Sequence, residues 1–288
     1  METENKKILM LPNITKHITT AQYRRICDSF LTYGFVLYTV AESADFAGVT
    51  LPVLPEERLG ECALACVLGG DGSMIHAAHR LLGYDIPLLG INFGHVGYLA
   101  ELEIGEIDLL DGLANGNYTM EERMMLSVEV LRADGTLRVR MYALNDMVLS
   151  NGPVAQLLTF AVRLDGIDMQ TFRADGIVIA TPTGSTAYSL SAGGPILEPR
   201  LDCICLTPIC PHTPGSRPIL VRGDTNIELC RIVPKDTSVY ISTDGREVTS
   251  VCRGDTVRVT RAAHTVKLIR LKDEGFLGVL RDKFSTNL

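Results

Sequence analysis

The chain has 288 residues, of which 46 % are hydrophobic and 21 % charged, and its net charge is −7. That apolar fraction sustains packed cores over two modest domains or one large one, and the negative balance excludes duplex DNA or an anionic membrane as the main partner. No apolar run reaches the roughly 18–20 residues that span a bilayer, "METENKKILMLPN" shows no small-residue cleavage site, and eight cysteines without a tight framework read as free thiols. The expected setting is the cytoplasm.

In chain order, "KKILMLPN" is a short apolar strand. Thr19 or Thr20 caps the helix after it, which sets Tyr23, Ile26, Cys27, Phe30 and Leu31 on one face and Gly34 past its end. "FVLYTV", "ALACVL" and "IPLLGIN" are further strands, while "IHAAHRLLG", ended by Gly83, and "EIDLLDGLANG" are helices. Continuous apolar strands separated by helices indicate a parallel sheet covered on both faces.

From Tyr118 the texture changes. Strands meet at Asp134-Gly135 and again at Asp165-Gly166, the chemistry of tight hairpins. Strand-rich sequence continues to about residue 269, and "DEGFLGVLRDKF" regains helical spacing. The expected organisation is an α/β domain over 1–116 and an all-β, sandwich-like domain over 117–269, with a last helix, about 270–288, packing back on the first domain.

Three segments carry chemistry. In "CVLGGDGSMIHAAHRLLG", Gly69, Gly70 and Gly72 surround Asp71 between an apolar strand and a helix, where open α/β sheets place ligands. It is not a dinucleotide fingerprint, because Ile75 stands where a glycine is required, nor a Walker loop, because no Gly-Lys-Ser/Thr follows. Asp-Gly alone is an ordinary turn; strand–GGDGS–helix is not.

The second segment, "ALNDMVLSNG", sets Asn145 and Asp146 in an apolar run. Burying such groups unpartnered costs on the order of 1–3 kcal/mol, so either a ligand or nearby backbone satisfies them. The third opens an apolar strand, Gly176–Ala180, into Thr181, Thr183, Ser185, Thr186, Tyr188, Ser189 and Ser191 among Gly184, Gly193 and Gly194. Hydroxyls and bare amides suit a ribose or an adenine edge, and Tyr188 adds a face for stacking. A solvated loop is the plain alternative, but it rarely follows a fully apolar strand. A fourth cluster, Cys203, Cys205, Cys210 and His212, lacks zinc-knuckle spacing; the first two cysteines read as strand residues on one buried face, and no metal ligand is assigned.

Together these segments resemble the NAD kinase family over most of the chain. The resemblance rests on GGDGS at Gly69–Ser73, "INFGHVGYLAEL", the Asn145-Asp146 pair, "RADGIVIATPTGSTAYSLSAGGPI", "LTPICPHTPGSRP" and "STDG". It implies phosphorylation of the adenosine-ribose 2′-hydroxyl of NAD to give NADP, with ATP or another phosphoryl donor such as polyphosphate, and Mg²⁺ or another divalent cation. It also implies a Rossmann-like first domain, a β-sandwich second domain that carries most of the dinucleotide pocket, and a homotetramer or homodimer whose neighbours complete the sites. Asp71 is then the proton acceptor, with Gly72 beside it. Asn145 and Asp146 contact the adenosine, and Arg173 and Asp175 line the dinucleotide pocket. So do Thr183 and the run Thr186, Ala187, Tyr188, Ser189, Leu190 and Ser191.

Asp146 stands where the family often has glutamate, and Ser73 where threonine is common. His76 is either a phosphate contact or a surface histidine. No lysine follows the loop, so Mg²⁺, backbone amides and Arg173 or His76 are expected to handle phosphate charge. Two other readings share the motifs. One is a catalytically silent NAD(P)-binding sensor; the other is a lipid kinase of the wider GGDG superfamily, for which no basic amphipathic helix is present.

Overall fold

Five apolar residues in a row make Leu64–Leu68 a strand buried at every position, and Leu88–Asn92 repeats the pattern. Such strands need cover on both faces. In the computed structural model, which describes residues 6–94, 97–151, 157–212, 215–233, 239–273 and 275–285, they lie in a parallel sheet. In chain order the elements are β1 (Lys7–Pro12), α1 (Thr20–Thr32), β2 (Val36–Thr39), a small hairpin of β3 (Asp45–Phe46) and β4 (Val49–Thr50), β5 (Leu64–Leu68), α2 (Asp71–Arg80), β6 (Leu88–Asn92), β7 (Leu102–Glu103) and α3 (Asp111–Asn115). The sheet runs β2-β1-β5-β6-β7 with every pairing parallel.

Thr19 caps α1 in a reciprocal box with Gln22, which satisfies two otherwise orphaned amides. The helix buries Tyr23, Ile26, Cys27 and Phe30. Leu31 does not join them and stays 52 % exposed. At about 100° per residue it sits roughly 80° from Tyr23, at the rim of the stripe. The expected helix over "EIDLLDGLANG" is instead a 3₁₀ stretch, Ile104–Leu110, followed by α3 and stopped by left-handed Gly116.

The β-rich part continues with β8 (Thr119–Leu131), β9 (Leu137–Ala143), β10 (Asp146–Asn151), β11 (Leu158–Leu164), β12 (Ile167–Ala174), β13 (Gly176–Ala180), α4 (Tyr188–Ser191), β14 (Cys203–Ile209), β15 (Ile219–Arg222), β16 (Ile227–Val233), β17 (Val239–Thr243), β18 (Glu247–Val251), β19 (Thr256–Arg270) and α5 (Gly275–Ser285). One sheet runs β15-β14-β13-β10-β17-β18, antiparallel throughout. Facing it are β12-β11-β16-β19, with β8 pairing β19 and β9. Phe160, Phe172, Ile177, Ile204 and Ile241 from both layers share one core, the arrangement of a β-sandwich. Both Asp-Gly turns form, with Gly135 and Gly166 left-handed.

The chain divides into one unit of Met1–Glu122 with Val266–Leu288 and a second of Arg123–Thr265. The end of β19 belongs to the first unit, where Leu268 pairs with Leu88 in parallel. Cys205 is buried, Cys203 half-buried and Cys210 exposed. Among the described residues, no group of three or more His, Cys, Asp or Glu side chains is placed to hold a metal ion, and no helix is long and apolar enough to cross a membrane.

Candidate active site

At the end of β5 the chain turns through Gly69, whose φ of 156° suits glycine and where a Cβ would overlap the Ser73 side chain. Asn13 fixes Ser73 by donating its amide to Oγ at 2.8 Å. Gly70 caps α2 and Asp71 is its first residue, so the carboxylate sits at the positive end of the helix. It is gripped from outside the helix. Tyr98 and Leu99 donate their backbone N–H groups to its two oxygens at 2.9 and 3.0 Å. Gly97 permits this approach, since a Cβ there would overlap the Asp71 carboxyl group.

Around Gly72 the position of a Cβ is open to 4 Å among the described residues, leaving room beside Asp71. His76 is exposed, one turn along α2. The ammonium of Lys16 lies 3.7 Å from where a Cβ of Gly70 would be. Sequence reasoning missed this cation because it precedes the loop by a whole helix and four strands. Burial, and next the charge of Asp71, push the Tyr98 phenol up.

In the second unit Asn145 and Asp146 lie on a turn built by Asp244. Its carboxylate accepts the N–H groups of Leu144 and Asn145 at 2.8 Å each and that of Asp146 at 3.1 Å. Thr181 donates its N–H to the Asn145 carbonyl at 2.9 Å and its hydroxyl to the Leu144 carbonyl at 2.6 Å. Gly184 presses so close that a Cβ would overlap the Asn145 carbonyl. The Asn145 backbone is thus held from both sides, and its half-buried side chain points off a rigid turn. Asp146 is only 5 % exposed. Burial first, and the Asp244 charge second, push its carboxyl up to about 7, against a backbone hydrogen bond from Tyr188. Near neutral pH a large share of Asp146 is therefore protonated, able to donate as well as accept.

The hydroxyl-rich loop divides into two sets. Thr183 accepts from the buried Arg123 guanidinium at 3.2 Å, and Ser185 donates to the Pro182 carbonyl while accepting the Leu197 N–H. Ser189 pairs with Thr207 at 3.0 Å. These three shape the loop. Thr186 and Ala187 are partly exposed, and Tyr188, Leu190 and Ser191 exposed, Tyr188 at 45 %. Arg123 had a signal, since it shares the inward phase of Met125 on β8. Asp244 had one too: an Asp-Gly turn whose aspartate is itself left-handed.

Arg173 and Asp175 lie at the opposite end of β13 from Thr181, while the later part of the loop turns back along the sheet: Ser189 pairs with Thr207, which stands opposite Val178, and Ala192 packs on the same small cluster as Ile209. Asp175 donates its N–H to Ile209 before β13 begins, and Thr181 follows β13's last residue. At about 3.3 Å per residue, the two are roughly 20 Å apart along the strand. Arg173 is exposed and its carbonyl accepts the His212 N–H at 2.7 Å.

Residues 8–118 match the family model of the ATP-NAD kinase N-terminal domain, and residues 144–271 that of the ATP-NAD kinase C-terminal domain. The NAD kinase of Symbiobacterium thermophilum is 46 % identical over 227 residues, 78 % of this chain and 80 % of that protein. That of Natranaerobius thermophilus is 34 % identical over 286 residues, 97 % of this chain and 98 % of that protein. Among solved structures, yeast NADH kinase complexed with NADH aligns with a TM-score of 0.88 at 22 % identity, covering 99 % of this chain and 89 % of that one. An Archaeoglobus fulgidus NAD kinase in complex with ATP aligns at 0.72 and 23 % identity, covering 97 % of each chain. The two structural likenesses speak for the fold.

Proposed function

We propose that this chain, which belongs to the NAD kinase family, transfers the γ-phosphoryl group of ATP to the adenosine-ribose 2′-hydroxyl of NAD with Asp71 as the general base. The observation that carries this reading is the posture of Asp71. Its carboxylate is fixed at the head of α2 by two backbone amides while the Gly72 side stays open. A base must be held in place yet reachable by the proton it takes.

The 2′-oxygen attacks the γ-phosphorus, its proton passes to Asp71, and the bond to the ADP oxygen breaks. Little covalent work falls to the protein in such a transfer; positioning and charge do most of it. Lys16 and the positive end of α2 put positive charge next to the phosphates, with the His76 imidazole as a further contact. A divalent cation would come with ATP as its counter-ion. When bound it neutralises phosphate charge.

Asn145 and Asp146 take the adenosine ribose and base, with Tyr188 as the stacking face and Thr186 and Ser191 as hydroxyl partners. Thr183 and Ser189 act through the loop's shape, and Ala187 and Leu190 supply its backbone and apolar edge. Arg173 and Asp175 line the dinucleotide pocket and, in a homodimer or homotetramer, help complete that of a neighbouring copy. The setting is cytoplasmic.

A coupled assay with purified protein, MgATP and NAD, read by an NADP-specific dehydrogenase, tests the reading; polyphosphate replaces ATP in a parallel arm. NADP formation supports it. NAD binding without NADP from either donor would identify a sensor instead.

A further inference from the structure

We infer that Arg270, at the end of β19, is the positioning residue for Asp71, acting through the peptide group between Tyr98 and Leu99. The Arg270 guanidinium donates to the carbonyl of Tyr98 at 3.4 Å. The N–H of the same peptide unit, on Leu99, donates to Asp71 Oδ1 at 3.0 Å. A single planar amide thus has a half-buried cation at its oxygen and the base at its hydrogen. Chains of this kind polarise one another, so the positive end polarises the N–H that grips the carboxylate. A second contact, to the Leu99 carbonyl at 3.4 Å, holds the segment's other side. Both carbonyl contacts are long, but the donor is charged.

Arg270 is itself fixed. Its Nε donates to Glu121 at 2.8 Å and its Nη1 to Glu101 at 3.0 Å, and the Glu101 carboxylate also accepts the N–H groups of Leu271 and Lys272 at 2.8 Å each. The side chains of Arg270 and Glu101 are 15 % and 7 % exposed, so solvent screens this ion pair weakly. Four acceptors on two sides require a planar fork with several donors. Arginine has one and lysine does not. The Tyr98 ring is pinned independently by α5, with Phe276 at 5.7 Å between centroids and the Lys283 ammonium 5.0 Å above the ring.

The consequence is geometric. With one N–H on each carboxylate oxygen, the plane of Asp71 is set, and with it the lone pair that faces the substrate hydroxyl. Loosening the Tyr98–Leu99 peptide lets that plane turn, and misplacement of about 1 Å can cost on the order of 10²-fold in rate. The inference rests on Asp71 being the base.

The test is a mutant cycle on the full-length protein. Arg270→Lys keeps a positive charge between Glu101 and Glu121 but loses the fork. It should lower kcat by about 10- to 100-fold, leave KM for NAD and ATP nearly unchanged, and keep the wild-type melting profile to within a few degrees. In the Asp71→Asn background the same change should cost nothing more, because the route of its action is gone. Glu101→Gln, which still accepts the Leu271 and Lys272 amides, should show the same pattern more mildly and serves should Arg270→Lys fail to fold. Wild-type kcat in Arg270→Lys or Glu101→Gln, or losses that multiply in full with Asp71→Asn, would overturn the inference alone. Near-normal turnover of Asp71→Asn by itself would remove the base assignment, and the inference with it.

Discussion

The carboxylate of Asp244 accepts the backbone N–H of Asn145 at 2.8 Å, across 99 residues of chain. Together with the Leu144 and Asp146 amides it makes one side chain the nest on which the adenosine-facing turn is built. Asp244→Asn tolerates the left-handed backbone, but its amide nitrogen would meet N–H donors where an oxygen now accepts. The dissociation constant for NAD should rise about tenfold, for a loss of roughly 1.4 kcal/mol. The same change removes a like charge beside Asp146, whose carboxyl should titrate lower than about 7. Calorimetry reads the first effect and carbonyl-carbon NMR the second; an unmoved titration would mean that burial alone perturbs Asp146.

Asp146 also predicts a pH dependence of stability. Its folded value, about 7, lies above the ordinary 3.8, so between these values the folded state holds a proton that the unfolded state has released. Its stabilising contribution is therefore complete below about pH 4 and is lost as pH rises to 7 and beyond. Asp146→Asn stays neutral throughout. At pH 8 the variant should melt several degrees above the wild type, and the gap should close as pH falls toward 4. Calorimetric melting across this range checks it; a gap independent of pH would contradict it.

Tyr188 is the aromatic residue of the loop and is left largely exposed. Base–aromatic stacking is worth roughly 1–3 kcal/mol by alanine substitution. Tyr188→Ala should raise the dissociation constant for NAD about 5- to 150-fold, and an unchanged affinity would reduce the tyrosine to packing.

If Asp175 serves a neighbour, two dead variants can repair one another. Asp71→Asn and Asp175→Ala, unfolded together and refolded as mixed oligomers, should regain up to about a quarter of wild-type activity, since one pocket in a mixed pair escapes both lesions. Separately refolded controls should stay inactive. No recovery on mixing would place Asp175 in its own chain's site.

Local chemistry was legible in the sequence and distant partnership was not. The β5–GGDG–α2 unit is visible because five apolar residues run directly into three glycines, and the Asp134-Gly135 and Asp165-Gly166 turns because two residues decide a hairpin. The grip on Asp71 comes from 27 residues away and the Ser189–Thr207 pair spans 18; neither has a periodicity to betray it. Hydroxyl content marked the 181–191 loop without revealing that Thr183, Ser185 and Ser189 turn inward. Leu31 fitted the α1 stripe by spacing, yet it falls at the rim of that stripe and stays exposed.

Asp71→Asn measured in a single turnover is the most direct test of the account. The amide keeps the loop's size and can still hydrogen-bond a ribose hydroxyl, but it cannot take the proton. With NAD prebound and MgATP added, NADP formation should slow by about 10²- to 10⁴-fold, while the calorimetric dissociation constant for NAD stays close to that of the wild type. Near wild-type turnover would contradict the account and leave the GGDG loop a phosphate cradle alone.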